Sequence, residues 1–197
     1  DIYIMNKSIQ TILKKNFEDT AGENLRMKCL NQLNIETGSI LSSKLYTIDY
    51  EISDVQLQEF ADSCIKNKIT EDAILNSVYV NNMYQSVIAI AQLPGVTDDI
   101  GVSAQTALAD FLNRKIDINV QHIFTQDIYY LAESIDESKL HEIAKAFLGN
   151  PLINHIQVFN GNKARILFKP YVPKVEMTVD ETVEEIDLNL SDDELMK

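Results

Sequence analysis

Apolar residues in the first half of the chain recur at the spacings typical of helices and of strands. Leu25, Cys29 and Leu33 share one helical face, which predicts one helix, and Ser53 with Gln56 forms a capping-box pattern that predicts the start of another. Short runs of β-branched and aromatic residues predict strands. A polar stretch follows the first predicted strand as far as Asp19. The predicted strands are 2–5, 40–52 and 77–80, and the predicted helices are 20–33 and 53–65.

The second half repeats this order of elements. Pro94-Gly95 ends its first strand, Gly149 ends its last helix, and Asn160-Gly161 is a tight-turn signal. The segment between its two helices reads as two separate strands. The predicted strands are 87–90, 116–124, 127–132, 153–159 and 164–168, and the predicted helices are 101–113 and 137–148.

The two halves also match residue by residue. At an offset of 83, Tyr46 aligns with Tyr129, and at an offset of 79, Gly22 aligns with Gly101. A period of about 80 residues is too long for a solenoid and favours a duplicated βαββαβ unit of the ferredoxin-like kind. The predicted fold class is therefore α+β, with tandem units whose antiparallel sheets pack face to face through the apolar faces that the helices leave uncovered. The predicted domains are repeat 1 at 1–83, repeat 2 at 84–168 and an acidic linker at 169–197.

The 197 residues carry a formal net charge of −13. Nucleic acid and anionic membranes need clustered Lys and Arg, so the sequence predicts neither as a partner. The chain contains no run of about 18 apolar residues that would predict a membrane span, and no signal peptide is visible. We therefore expect a cytoplasmic location. Nearly half of the negative excess lies in 169–197. Because the chain begins at Asp1 rather than Met and stops after a helix-start pattern at Ser191, we expect a piece of a longer protein.

Few side chains are arranged for catalysis or metal binding. Cys29 and Cys64 lie on apolar faces of predicted helices without CxxC spacing, so we expect two buried free thiols. His122, His141 and His155 lack the spacing of metal ligands on one helix, and we expect them at surfaces or interfaces. The sequence therefore predicts no catalytic, cofactor-binding or metal site.

The loop from Gly95 to Gly101 is the candidate contact site. It has a glycine at each end, but it lacks the Lys-Ser/Thr pair that would hold phosphate and magnesium. Asp98 or Asp99 is predicted to cap the helix that follows. The residues predicted to contact a partner domain are Gly95, Thr97, Asp98 and Asp99.

A family resemblance is carried by four segments of the second half: 94–99 (PGVTDD) with Gly101, 128–131 (IYYL), 140–144 (LHEIA) and 148–153 (LGNPLI). Together they resemble the PurS family, the small subunit of phosphoribosylformylglycinamidine synthase. Residues 188–195 (LNLSDDEL) are similar to the linker that leads into the synthetase domain of the large, single-chain form. The first half lacks the Pro-Gly-Val loop and has Lys68 where the second half has Pro151, so only the internal match predicts the same unit there.

The resemblance implies a non-catalytic part of a ligase of purine biosynthesis. That enzyme converts formylglycinamide ribonucleotide, ATP and glutamine to the amidine, ADP, phosphate and glutamate. Magnesium-ATP would bind in a synthetase domain and glutamine in a glutaminase domain, so this segment would hold no cofactor and be inactive alone. Its implied partners are those two domains, which it would hold together around the path of ammonia. The alternative is a paired ACT-like regulatory module that binds an amino acid or a nucleotide at its interface.

Overall fold

The computed structural model describes residues 7–79, 81–117, 119–161 and 170–173. Within these residues, each half has the order strand, helix, strand, helix, strand. The elements of the first half are β1 (Lys7–Leu13), α1 (Thr20–Lys28), β2 (Ile40–Ile48), α2 (Asp54–Phe60) and β3 (Glu71–Leu75). Those of the second half are β4 (Ser86–Gln92), α3 (Asp99–Leu112), β5 (Ile123–Leu131), α4 (Glu137–Ile143) and β6 (Asn154–Asn160).

The six strands of the described residues form one antiparallel sheet in the order β3-β1-β2-β5-β4-β6. The fold is therefore α+β, but the predicted face-to-face packing of two sheets is wrong. The halves join edge to edge, because β2 pairs with β5 along its whole length, from Ile40 opposite Leu131 to Ile48 opposite Ile123. This pairing satisfies the backbone hydrogen-bonding groups of two long strands that would otherwise be exposed edges.

Each half contributes three strands within the described residues, rather than the four of a βαββαβ unit. Only the end of the strand predicted for 116–124 is a strand: residues 123 and 124 run on into the strand predicted for 127–132 as one continuous strand, β5, and the described residues of 116–122 form no strand. The closing strand of the first half is β3, and the described residues of 77–80 form no strand. β1 lies in the polar stretch between the predicted strand 2–5 and Asp19, where no strand was predicted. The strands predicted at 2–5 and 164–168 lie outside the described residues, as does nearly all of the tail.

The helices pack on one face of the sheet in two groups. α1 and α4 bury Leu25, Cys29 and Leu140 against one end of the central strands. α2 and α3 bury Phe60 and Leu108 against the other end. Within the part of the chain that the structure describes, no helix is both long and apolar enough to cross a lipid bilayer.

The opposite face of the sheet is covered partly by the connection between the halves. Leu45, Ile128 and Tyr130 form a third apolar cluster on this face, and Tyr79 and Tyr84 of the connection pack against it. Tyr129 faces the helices while Tyr130 faces away from them, as the alternation of a strand requires. An apolar layer therefore forms here without a second sheet.

Three of the four helices end in a π-helical turn, and this displaces one predicted core residue. The turns follow α1, α2 and α4 at Cys29–Leu33, Ala61–Ile65 and Ala144–Leu148. Cys29 is buried as predicted, but Cys64 is exposed. A π turn takes more residues per revolution than an α-helix, so Cys64 rotates out of the buried phase.

Candidate functional site

An ion pair marks the centre of the sheet on the face that carries the helices. Lys44 of β2 lies opposite Asp127 of β5, and the side chains form a salt bridge. The offset of 83 that relates Tyr46 to Tyr129 also relates Lys44 to Asp127, so the two occupy equivalent positions in the two halves. The pairing of β2 with β5 is thus symmetric about this central ion pair.

The predicted cap Asp98 holds the start of α3 against the central strand β5. Its carboxylate accepts hydrogen bonds from the backbone N–H of Gly101 at 2.9 Å, from the N–H of Thr125 at 2.5 Å and from the Thr125 hydroxyl at 2.8 Å. Asp98 is only 5% exposed. Because buried carboxylates are costly unless they accept such bonds, this residue is primarily a structural clamp.

Asp19 makes the same contacts in the first half. It caps α1 by accepting from the N–H of Gly22 at 2.8 Å, and it accepts from the N–H and the hydroxyl of Ser42 on β2. Asp19 and Gly22 correspond to the second-half cap and glycine at the offset of 79, and Ser42 corresponds to Thr125 at the offset of 83. The sequence offsets therefore correspond to equivalent local structure.

A close approach of helix to strand requires glycine at both of these helix starts. A Cβ atom added to Gly22 would overlap the carbonyl oxygen of Ile40, and one added to Gly101 would overlap that of Ile123. The two helices can lie this close to β2 and β5 only without side chains at these positions. Their N-terminal ends consequently lie beside the central ion pair.

Two cavities flank the central ion pair, one in each half. The first-half cavity has a volume of about 400 Å³ and the second-half cavity about 370 Å³. Their walls correspond at the same two offsets. The first-half cavity is lined mainly by Thr11, Leu13, Glu18, Asp19, Thr20, Ala21, Ser42, Lys44 and Glu71. The corresponding residues of the second-half cavity are Ile90, Gln92, Thr97, Asp98, Asp99, Ile100, Thr125, Asp127 and Asn154.

The surroundings of the central ion pair are acidic and suppress the ionisation of two tyrosines. Burial raises the pKa of Tyr46 to about 12, and the carboxylates of Glu71, Asp127 and Asp98 add to the shift. Burial likewise raises the pKa of its counterpart Tyr129 to about 12. Both phenols therefore remain neutral in a site dominated by negative charge.

Spectroscopic titration of the tyrosines should detect this environment. Since the folded-state pKa exceeds that of an unfolded chain, about 10, these tyrosines stabilise the fold at neutral pH, and this contribution is lost as pH rises from about 10 to about 12. We expect tyrosinate absorbance to rise in at least two phases, the later including Tyr46 and Tyr129. Tyr46→Phe should remove amplitude from the later phase only. Titration of all eight tyrosines in one phase near pH 10 would contradict the structure.

The predicted contact residues are of three kinds. Thr97 and Asp99 are exposed and line the second-half cavity, whereas Asp98 is the buried clamp. Gly95 is exposed, with a φ of +83° and open space around it, so it serves the turn. Contact with a partner domain stays a prediction for all four.

No sequence motif marks the first-half cavity or the central ion pair, and both were missed for that reason. Lys44, Glu71 and Asp127 are charged residues in strands and belong to no recognisable motif. The signal that could have found them is the internal match, because Lys44 aligns with Asp127 at the same offset as Tyr46 with Tyr129.

The cysteines and histidines are not brought together. Burial raises the pKa of the Cys29 thiol to about 11, which makes it a poor nucleophile. The ring nitrogen Nδ1 of His122 lies 3.0 Å from the carbonyl oxygen of Asp49, and the His155 ring stacks on Tyr171. Among the described residues, no group of three or more His, Cys, Asp or Glu side chains is placed to hold a metal ion.

Comparison with known proteins adds no family. No protein-family model matches the chain, and no curated protein is significantly similar to it.

Proposed function

We propose that this chain is the non-catalytic coupling segment of a phosphoribosylformylglycinamidine synthase of purine biosynthesis, acting in the cytoplasm. It would hold a synthetase domain that uses magnesium-ATP and a glutaminase domain in fixed relation, so that ammonia passes from one to the other. The motifs of the second half are the starting point of this proposal. One observation carries the proposal. The loop at 94–99 contributes Thr97, Asp98 and Asp99 to the wall of the second-half cavity, and the first half has an equivalent cavity.

The equivalent halves support a role in positioning. One continuous sheet fixes the two cavities on either side of the central ion pair. A scaffold needs such fixed surfaces, and each cavity exposes side chains that a partner could contact: Glu18 and Thr20 in one, Thr97 and Asp99 in the other. Asp19 and Asp98 would contribute indirectly, by holding the helices that form the walls.

The same equivalences lead us to propose that the chain arose by tandem duplication of a three-stranded unit. The shared clamps, the shared glycine contacts and the matching cavity walls all follow two constant offsets. The revised unit is βαβαβ, joined to its copy through β2 and β5.

The protein encoded by the complete gene tests this function. It should convert formylglycinamide ribonucleotide, ATP and glutamine to the amidine, whereas the present chain alone should consume neither ATP nor glutamine. In the complete protein, Asp99→Lys should lower glutamine-dependent amidation by about tenfold or more, a loss typical of disturbed positioning. Amidation with added ammonia should be nearly unchanged. The matched control is Glu59→Lys, a charge reversal at an exposed helical residue outside both cavities.

Two outcomes would overturn the proposal. One is ATP or glutamine turnover by the chain alone, and the other is a complete gene product that does not form the amidine. Equal losses with glutamine and with ammonia would instead place Asp99 outside the coupling surface.

One observation favours a second function, an amino-acid-binding regulatory module. The first-half cavity is lined by Lys44 as well as by the carboxylates of Asp19 and Glu71, and mixed charges in a cavity of about 400 Å³ suit a zwitterion. Calorimetry of the chain with free amino acids and purine nucleotides separates the two functions. Saturable binding of an amino acid that Lys44→Gln abolishes would favour regulation.

A further inference from the structure

Three large apolar residues are exposed at or beside the second-half cavity. Ile100 of α3 and Ile153, which precedes β6, line this cavity and are 45% and 46% exposed. Leu152, the neighbour of Ile153 in the chain, is 83% exposed. Exposed aliphatic residues that cluster, rather than scatter singly, mark a surface on which another molecule packs. We call these three residues the apolar rim.

The fold that both halves share does not require two of these three residues. At the offset of 79, Ile100 corresponds to Ala21, and at the offset of 83, Ile153 corresponds to Thr70. The third residue has an exposed apolar counterpart, Ile69. The aliphatic side chains at positions 100 and 153 are therefore particular to the second half.

Hydrogen bonds order the turn that carries Leu152 and Ile153. The side-chain oxygen of Asn150 accepts from the N–H of Leu152 at 3.0 Å, and the Asn150 carbonyl oxygen accepts from the N–H of Ile153 at 3.0 Å. The Ile153 carbonyl oxygen accepts from the N–H of Leu93 at 2.9 Å. A molecule that packs on this turn meets an ordered backbone, so little conformational entropy is lost there on binding.

The cavity beside the apolar rim is acidic. Its lining includes the carboxylates of Asp98, Asp99 and Asp127, and no Lys, Arg or His belongs to the described part of that lining. Alternation along β5 puts Asp127 on the same face as Ile123 and Leu131, which belong to the cores beneath the helices. The side chain of Asp127 therefore lies on the face of the sheet where α3 begins.

Lys44 offsets the charge of only one of these carboxylates. It pairs with Asp127 and lines the first-half cavity but not the second. Asp98 and Asp99 take part in none of the salt bridges between described residues. The positive end of the α3 dipole would attract an anion, but these two aspartates already occupy it. The cavity therefore favours a cationic group.

We propose that the second-half cavity and the apolar rim dock a basic amphipathic segment of a partner domain. One arginine or lysine of that segment enters the cavity of about 370 Å³ beside Asp99, and its aliphatic neighbours pack on Ile100, Leu152 and Ile153. An arginine that fills a pocket is a frequent hot spot of protein interfaces, and complementary charge fixes the register of the two surfaces. The inference rests on the proposed function, because it takes the partner to be one of the two domains that the chain couples.

Site-specific photo-cross-linking in the protein encoded by the complete gene tests this docking. With p-benzoylphenylalanine at position 152, the cross-linked peptide should come from outside residues 1–197 and contain an arginine or a lysine among aliphatic residues. With the same group at position 69, the equivalent exposed position of the first half, that peptide should not be cross-linked. No cross-link from position 152, a peptide without a basic residue, or the same peptide from both positions would overturn the docking.

A double substitution tests the apolar rim against the other half of the chain. Ile100→Ala with Ile153→Thr gives the second half the residues that the first half has at the equivalent positions. It should lower the yield of the cross-link from position 152 about fivefold or more, as the loss of interface anchors does. The control, Val102→Ala with Ile69→Thr, alters exposed residues outside the cavity and should leave the yield within about twofold. Equal losses in the two variants would overturn the role of the rim.

The charge of the cavity is tested with the same readout. Asp99→Lys should lower the cross-link yield about fivefold or more, whereas Glu59→Lys, outside the cavity, should leave it within about twofold. Spermidine serves as a small cationic probe of the chain alone. Saturable binding of spermidine with a dissociation constant below about 0.1 mM, abolished by Asp99→Lys, would indicate a small-molecule site and overturn the docking of a protein segment.

Cross-linking reports contact rather than turnover, so it separates the docking from the proposed function. The expected cross-link in a protein that does not form the amidine would support the docking surface and overturn only the proposed function. Amidation by a protein in which position 152 gives no cross-link would overturn only the docking surface.

Discussion

Gly101→Ala is expected to lower the free energy of unfolding by about 2–3 kcal/mol. At an exposed helical position the same change would raise stability by about 1 kcal/mol, because alanine has the higher helix propensity. Here the added Cβ would overlap the backbone carbonyl oxygen of Ile123, and backbone cannot move aside as the end of a side chain can. Helix α3 would have to shift away from β5, which weakens the Asp98 clamp and the core below it.

Chemical denaturation of paired variants measures this effect. Gly22→Ala should cost a similar amount, because its Cβ would overlap the carbonyl oxygen of Ile40 in the same way. Val102→Ala, the next position along α3 and exposed, is the control and should change stability by less than about 0.5 kcal/mol. A stabilised Gly101→Ala variant would show that α3 does not lie this close to β5.

Asp98→Ala is expected to lower the free energy of unfolding by about 2–4 kcal/mol. The substitution leaves three donors without their acceptor: the N–H groups of Gly101 and Thr125 and the Thr125 hydroxyl. Asp98→Asn should cost less, because the amide oxygen can still accept from part of this set. Thermal or denaturant unfolding gives the comparison.

The neighbouring residue provides the control for this second effect. Asp99 is also acidic and lies in the first turn of α3, but it is exposed. Asp99→Ala should therefore lose only its interaction with the helix dipole, about 0.5 kcal/mol. Equal costs at the two positions would contradict the assignment of Asp98 as a buried clamp.

The sequence was sufficient to predict elements whose stability is local. The capping box at Ser53 and Gln56 is present as predicted. The helices predicted from 20, 101 and 137 begin at or close to those positions. Apolar spacing and capping act over short stretches of chain, so they can be read from the chain itself.

The predicted strand boundaries were wrong where a buried polar side chain interrupts a strand and forms hydrogen bonds with residues distant in the sequence. Gln10 interrupts the apolar pattern of β1, yet it is fully buried and bonds to Tyr130, Ser43 and the N–H of Tyr79. Gln126 similarly made β5 read as two strands, but its side-chain oxygen accepts from the N–H of Tyr171 at 2.7 Å. All of these partners lie far away along the chain, so they leave no local signal.

The predicted arrangement of the sheets was wrong for a related reason. Apolar residues on the sheet face away from the helices predict that this face is buried, but the periodicity of the sequence cannot identify the segment that packs on it. The connection that carries Tyr79 and Tyr84 supplies part of it, and the halves pair through β2 and β5 instead of stacking. For the site, the two sequence offsets identified the equivalent positions in the two halves. They did not indicate the depth of the cavities, because that depends on how closely Gly22 and Gly101 let α1 and α3 approach β2 and β5.

The central ion pair has a consequence for how the chain could be assembled. In a homodimer of two identical units, the residue on the symmetry axis must face its own copy, which would bring two lysines or two aspartates together. Attraction between Lys44 and Asp127 is possible only because the two units differ. Two copies of either half would repel each other at this point, so the charge pair favours the pairing of unlike halves within one polypeptide over self-association.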